Sequence, residues 1–266
     1  MQALRALKTS GVYDDITRRH ARAMQTATLL PGETGTGRNV AHRGPAFGPW
    51  HRQALRELEL HLQSVDTGSP PLAIPYWRWE AERTTWQTAR IWTLVGGNGD
   101  STQGWRVTTG PFADWISVIW NVSGSDFVQR AGILRQFTPW TIDDPSRAQL
   151  VSAYDVSPWS ESSDASLSFR QALESPHNSV HVQIGGDMNA GGTAPNDPVF
   201  WLHHANVDRQ WARWQQAHGI TNYQPTSGGP PGHNLNDVMR YEESATATPA
   251  SVLDWVAMGY TYDVLG

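Results

Sequence analysis

Histidines at helical spacing constrain this chain more than any other feature. In His177-Asn178-Ser179-Val180-His181 two imidazoles stand about one helical turn apart and face the same way. The segment Asn196-Asp197-Pro198-Val199-Phe200-Trp201-Leu202-His203-His204 opens a second helix that brings another histidine. An earlier set, His20, His42 and His51, offers a second triad. Two triads imply a pair of metal ions. Neutral imidazole is the commonest side-chain metal ligand, and burying imidazoles on apolar stripes without partners is costly.

Periodicity ranks the histidines. The neighbours of His204 at three, four and seven residues are Phe200, Trp201, Val207 and Trp211, so its stripe is the apolar, inward one. His203 also faces Asn206 and Gln210 and is assigned a supporting or packing place. His20 shares a stripe with Tyr13, Ile16, Ala23 and Met24, and His51 opens a stripe running through Ala54, Leu55, Leu58, Leu62 and Val65. His42 lies in the loop before it. His61, on the far side of its helix, His218, at a helix C-terminus, and His233, in a Gly/Pro loop, are read as structural.

The rest of the pattern is mostly helical. Helices are expected over 3–9, 12–26 and 49–65, with shorter ones at 125–136 and 145–154. Residues 28–41, 67–75 and 219–250 read as loops and 94–111 as irregular, with an extended piece at 73–77 and a short strand at 260–262. A helix over 164–174 is expected to end at Ser175-Pro176. Ser175 would then cap a second, short helix that Gly185-Gly186 stops. Asp197 is expected to cap a helix that has Pro198 at its first position and runs to about residue 216. No linker separates two halves with cores of their own. The expectation is a single, mainly α domain with few short strands and long loops, its metal pair inside a central four-helix bundle.

Composition excludes several alternatives. With no cysteine there is no disulfide, thiolate site or thiol nucleophile. A net charge of -5 with scattered Lys and Arg argues against a nucleic-acid partner. No apolar run reaches the roughly 18 residues a membrane span needs. No apolar h-region follows Met1-Gln2-Ala3-Leu4-Arg5, so a cytoplasmic location is the default expectation.

The motifs His42-Arg43-Gly44-Pro45-Ala46-Phe47-Gly48-Pro49-Trp50-His51-Arg52, Pro75-Tyr76-Trp77-Arg78-Trp79, His177 to His181 and Asn196 to Asp208 resemble the type-3 copper family. That family includes tyrosinases, catechol oxidases, o-aminophenol oxidases and molluscan hemocyanin units, and the likeness is greatest to the single-domain bacterial tyrosinases. The resemblance spans nearly the whole chain and implies one tyrosinase-like copper domain over 1–266. It implies one copper on His20, His42 and His51, and a second on His177, His181 and His204, with O2 as co-substrate. It chooses copper where imidazole alone leaves zinc, iron or nickel open. Glu174 and Asn178 match a pair that holds a phenol-deprotonating water in hydroxylating members. A positioned base suits a phenol whose pKa is near 10. Phe200 matches a phenylalanine packed beside the ligands, Val182 is small and apolar over the second copper, and Asp197 belongs to the surrounding shell. Departures are Arg78, where the family carries an acid, a short Glu174–His177 spacing, a longer loop between His20 and His42, and an abrupt N-terminus.

The implied activity is o-hydroxylation of monophenols and oxidation of o-diphenols to o-quinones. The alternative is an o-aminophenol or catechol oxidase of secondary metabolism, acting on phenolic or aminophenolic substrates with little hydroxylase activity. An O2 carrier is a remote reading, because carrier units append a domain over the coppers. A zinc hydrolase on His177 and His181 lacks the general-base Glu of a His-Glu-x-x-His motif. Relatives of this length also imply a small copper-loading helper protein as partner, with co-export beside it as the alternative to the cytoplasm.

Overall fold

A computed structural model describes residues 1–34, 38–121, 126–159, 167–240 and 246–265. Helix α1 (Gln2–Ser10) ends where Gly11 adopts the left-handed conformation, φ 87°, and its N–H returns to the Lys8 carbonyl. Helix α2 (Val12–Gln25) follows, with Asp14 and Asp15 in its first turn, the end where the helix dipole favours acids. Strands β1 (Ala27–Thr28) and β2 (Arg38–Asn39) pair antiparallel within the expected 28–41 loop. Residues 35–37 of that loop lie outside the described residues. Helix α3 (Phe47–Val65) matches the strongest amphipathic stretch, and α4 (Ile91–Val95) is one short turn-and-a-half at the edge of the irregular region. No described helix is long and apolar enough to cross a membrane.

Residues 126–131 are a strand, not the helix expected over 125–136. Strand β3 (Ile116–Asn121) and β4 (Asp126–Ala131) form a hairpin with Ile116 opposite Ala131 and Asn121 opposite Asp126. Residue 125 lies outside the description. Trp120 meets Phe127 across the ladder, 5.0 Å between ring centres. The Asn196 side chain accepts from the Val118 N–H at 2.7 Å and donates to its carbonyl at 2.9 Å, satisfying the other edge of β3. Cross-strand pairing of this kind overrides the weak helical spacing of 125–136. The expected 145–154 helix is reduced to a 3-10 segment, Pro145–Leu150, capped by Asp144.

Ser175-Pro176 does not divide two helices either. Helix α5 (Phe169–Ile184) runs straight through, with Pro176 inside it. Proline removes the bond its own N–H would make and crowds the carbonyl four residues back, yet the helix continues on its remaining bonds. Residues 164–166 of the expected helix lie outside the described residues, and 167–168 precede α5. Two consecutive positive-φ glycines end α5: Gly185 at 66° and Gly186 at 57°. A Cβ on Gly186 would come within 2.2 Å of the Leu134 carbonyl oxygen, so both the conformation and the close approach require glycine. Helix α6 (Val199–His218) starts with the Asp197 carboxylate accepting from the Val199 N–H at 3.0 Å, the expected cap. The segment 73–77 forms no strand; Trp77 donates its backbone N–H to the Leu202 carbonyl of α6. Residues 260–262 are not a strand: the hydroxyls of Tyr260 and Tyr262 both bind Asp208.

Contacts divide the chain into two compact units. The first comprises Met1–Arg22, Leu58–Asp143 and Asn178–His203. Its core is aromatic: the Tyr13 ring meets Trp115 edge-on at 5.2 Å, and its hydroxyl donates to Pro195 and accepts from Trp201. Fully buried Arg135 clamps Asp197 through two bonds, at 2.6 and 2.7 Å. The second unit comprises Ala23–Glu57, Asp144–His177 and His204–Gly266. Tyr154, Phe169, Trp211, Trp214 and Tyr223 pack its core, and a buried Arg52–Asp208 pair at 2.6 Å ties α3 to α6.

Candidate metal centre

Within the second unit, His42, His51, His177 and His204 converge. The His42 and His51 rings are 4.6 Å apart, His51 stacks on His204 at 4.2 Å, and His42 lies 5.9 Å from His177. Phe47 edges against His51 and His177, at 5.2 and 4.9 Å. Nε2 of His177 and Nε2 of His204 face each other at 3.3 Å. Two nitrogens each about 2.0–2.1 Å from one ion at a tetrahedral angle would be about 3.3–3.4 Å apart.

Within the first unit, Phe200 lies between His20, 5.0 Å away, and His181, 5.9 Å away. His203 meets His181 edge-on at 5.0 Å and lies 5.9 Å from Trp79.

Three histidines carry the same tautomeric signature. Nδ1 of His20 lies 2.8 Å from the Gly191 carbonyl, Nδ1 of His51 2.8 Å from that of Phe47, and Nδ1 of His181 2.7 Å from that of Met188. A carbonyl only accepts, so each Nδ1 carries the hydrogen and each Nε2 carries the lone pair. Backbone orientation of this kind is how metal-binding histidines are fixed. Burial lowers the pKa of His181 to about 4, keeping the ring in the neutral form that a metal needs.

Within the second unit one ring nitrogen of His42 lies within 4.8 Å of one of His51, and one of His177 within 4.8 Å of one of His204; within the first unit His181 and His203 are grouped in the same way. His203, expected to support, stands against His181 and is fully buried. The donor set is all imidazole, with no thiolate and no carboxylate, which suits copper as well as zinc.

Glu174 is buried beside this cluster. One carboxylate oxygen accepts the Arg43 N–H at 2.6 Å, next to His42, and the other accepts from Arg170 at 3.1 Å. Arg170 is held in turn by Asp155. Burial raises the Glu174 pKa, against the opposing effects of Arg170 and the Arg43 N–H. Asn178, four residues on along α5, is exposed, and Val182 beyond it is half exposed. Asp197 serves Arg135 and the start of α6.

The partners of Glu174 escaped sequence reasoning. Arg170 could have been found from its i,i+4 spacing to Glu174. Asp155, the Arg43 N–H and the carbonyls of Gly191, Phe47 and Met188 could not, because no side-chain pattern marks a backbone group or a remote partner.

The tyrosinase family model, described as the common central domain of tyrosinase, matches residues 10–217. The chain belongs to the tyrosinase family. A tyrosinase of Streptomyces glaucescens is 41% identical, covering 98% of this chain and 92% of its own. Grixazone synthase of Streptomyces griseus is 34% identical, covering 99% and 94%. Among solved structures, a tyrosinase from Burkholderia thailandensis has a TM-score of 0.60 at 17% identity, covering 99% of this chain and 73% of that one. Deoxygenated hemocyanin from Rapana thomasiana also has a TM-score of 0.60, at 20% identity, covering 100% and 65%. These structural likenesses establish the mainly helical tyrosinase and hemocyanin fold. The sequence relatives establish a phenol-oxidising type-3 copper enzyme; the family implies a binuclear copper site, and the histidine groups fit metal binding.

Proposed function

We propose that the enzyme hydroxylates monophenols ortho to the hydroxyl and oxidises the resulting o-diphenols to o-quinones, with O2 as co-substrate. In this reading His20, His42 and His51 hold one copper, and His177, His181 and His204 the other, with His203 and Phe200 packed against them. Bound copper supplies O2 activation and electron exchange, which no side chain here can supply.

The observation that carries the hydroxylase reading is Glu174. It is a buried carboxylate fixed by the Arg43 N–H and Arg170, three residues before His177. Its role is to accept the phenol proton through a water that Asn178 helps to hold, the two residues sharing a face of α5 at i,i+4. Burial makes the carboxylate a stronger base than it is in water, and a phenolate binds a metal far better than a phenol. Phe47 and Phe200 keep the histidine surroundings apolar. Exposed Val182, next to His181, leaves the substrate approach uncharged.

The experiment is a substrate panel on copper-loaded protein beside the Glu174→Gln variant. Monophenol hydroxylation should fall about 10²–10⁴-fold while oxidation of a catechol or an o-aminophenol stays within a few-fold. A wild-type enzyme that oxidises catechols and o-aminophenols but no monophenol would replace this reading with the o-aminophenol or catechol oxidase one. Hydroxylation that survives Glu174→Gln would remove Glu174 from the proton path. A small copper-loading helper protein is part of the same proposal, and full copper loading of the chain expressed alone would dispense with it.

A further inference from the structure

His233 stands outside both histidine sets, in a Gly/Pro loop, yet it is fully buried. Its own backbone is anchored twice: the N–H donates to the Pro230 carbonyl at 3.0 Å, and the carbonyl accepts the Tyr223 hydroxyl at 2.7 Å. The Ala46 N–H donates to its Nδ1 at 3.0 Å. That nitrogen therefore bears no hydrogen, and Nε2 carries it. Nε2 lies 2.9 Å from the Thr28 hydroxyl, which donates onward to the Arg38 carbonyl at 3.0 Å. The ring thus joins two pieces of backbone in one defined direction: from Ala46, through the imidazole and Thr28, to Arg38, the strand partner of Thr28.

Ala46 is the residue before α3, so its N–H is one of the donors that a helix start leaves without an intrahelical acceptor. It sits in the turn between His42 and His51. The same turn is held at the His42 N–H by Asn39, at the Arg43 N–H by Glu174 and at the Pro45 carbonyl by Tyr154. Arg43 is in the left-handed region, φ 60°, a conformation a non-glycine residue keeps only when its surroundings impose it. Gly44 shows how closely the ring presses on the turn: a Cβ there would lie 2.8 Å from Cε1 of His233. Burial, with help from Arg38 and Arg170, brings the His233 pKa down to about 3, so the acceptor at Nδ1 persists under working conditions.

We propose that His233 is a positioning residue for the first copper: by capping the start of α3 it fixes the turn that spaces His42 from His51, and so sets the affinity of that triad. This rests on the reading of His20, His42 and His51 as ligands.

The test is copper content after competition with a graded chelator, with the Cu(II) spectrum recorded on the same samples. His233→Leu fills the space but accepts nothing from Ala46. It should weaken one of the two coppers about 10–100-fold, the range for loss of a group that orients ligands, and leave the other unchanged. His233→Gln, which can accept at one end and donate at the other, should recover most of that loss, which a role in packing alone would not do. Should His233→Leu fail to fold, Thr28→Val decides: it cuts the far link only and should weaken the same copper by a smaller factor. Wild-type affinity for both coppers in His233→Leu, equal weakening by Leu and Gln, or no change in Thr28→Val would each overturn the proposal. His42→Ala is the control. If it retains both coppers, the ligand reading fails; if it loses one while His233→Leu keeps two, only the role of His233 fails.

Discussion

Replacing Asp208 by alanine should destabilise the protein by about 4 kcal/mol, within the range for breaking one side of a buried ion pair. Arg52 and Asp208 are both buried, 2.6 Å apart. Arg52 also donates to the Val252 and Leu253 carbonyls and lies 3.7 Å over the Trp211 ring. Burial works against its charge, but Asp208, Tyr260 and Tyr262 outweigh that, and its pKa lies above the ordinary value. Removing Asp208 strands the guanidinium and takes one acceptor each from the Tyr260 and Tyr262 hydroxyls. At about 2–3 °C per kcal/mol for a chain of this size, the melting temperature should fall by roughly 10 °C. Calorimetry on metal-free protein is the assay, so that metal binding adds nothing to the difference. The double variant Arg52→Met/Asp208→Leu should recover much of the loss, because no buried charge is then left alone. A fall of less than about 2 °C, or a double variant equal to the sum of its singles, would refute the reasoning.

Other outcomes follow from the same geometry. Between pH 6.5 and about 3 the unfolded His233 takes up a proton that the folded ring refuses, so folding stability should fall as pH drops through that window. Urea titrations of metal-free His233→Gln should show a shallower pH dependence there than wild type; an identical slope would contradict the assignment. Stripping copper should lower the melting temperature, since a ligand at a thousand times its Kd adds about 4 kcal/mol. Equal melting curves before and after chelation would speak against metal binding at the histidine sets. Gly186→Ala should cost more than about 1 kcal/mol, because alanine opposes the positive φ and its Cβ meets the Leu134 carbonyl. Denaturation midpoints within error of wild type would show that the loop simply moves aside.

The long amphipathic helices and the histidines they turn inward are legible in the order of residues alone. Those signals are local: spacing along α2, α3, α5 and α6 places His20, His51, His177, His181 and His204 on apolar stripes whatever else surrounds them. The choice of His204 over His203 also came from spacing, although both rings are buried. Tertiary structure decided what depends on remote partners. Residues 126–131 became a strand because β3 and the Asn196 side chain complete its hairpin. Pro176 stayed inside α5, although a proline after serine reads locally as a helix boundary. Tyr260 and Tyr262 became hydrogen-bond donors to Asp208 rather than a strand. The orientation of the metal-facing rings rests on carbonyls of Gly191, Phe47 and Met188, and the turn after His42 rests on Glu174, Tyr154 and His233. A helical stripe is written in the order of residues, but the partner of a backbone N–H or carbonyl is chosen only when distant segments meet.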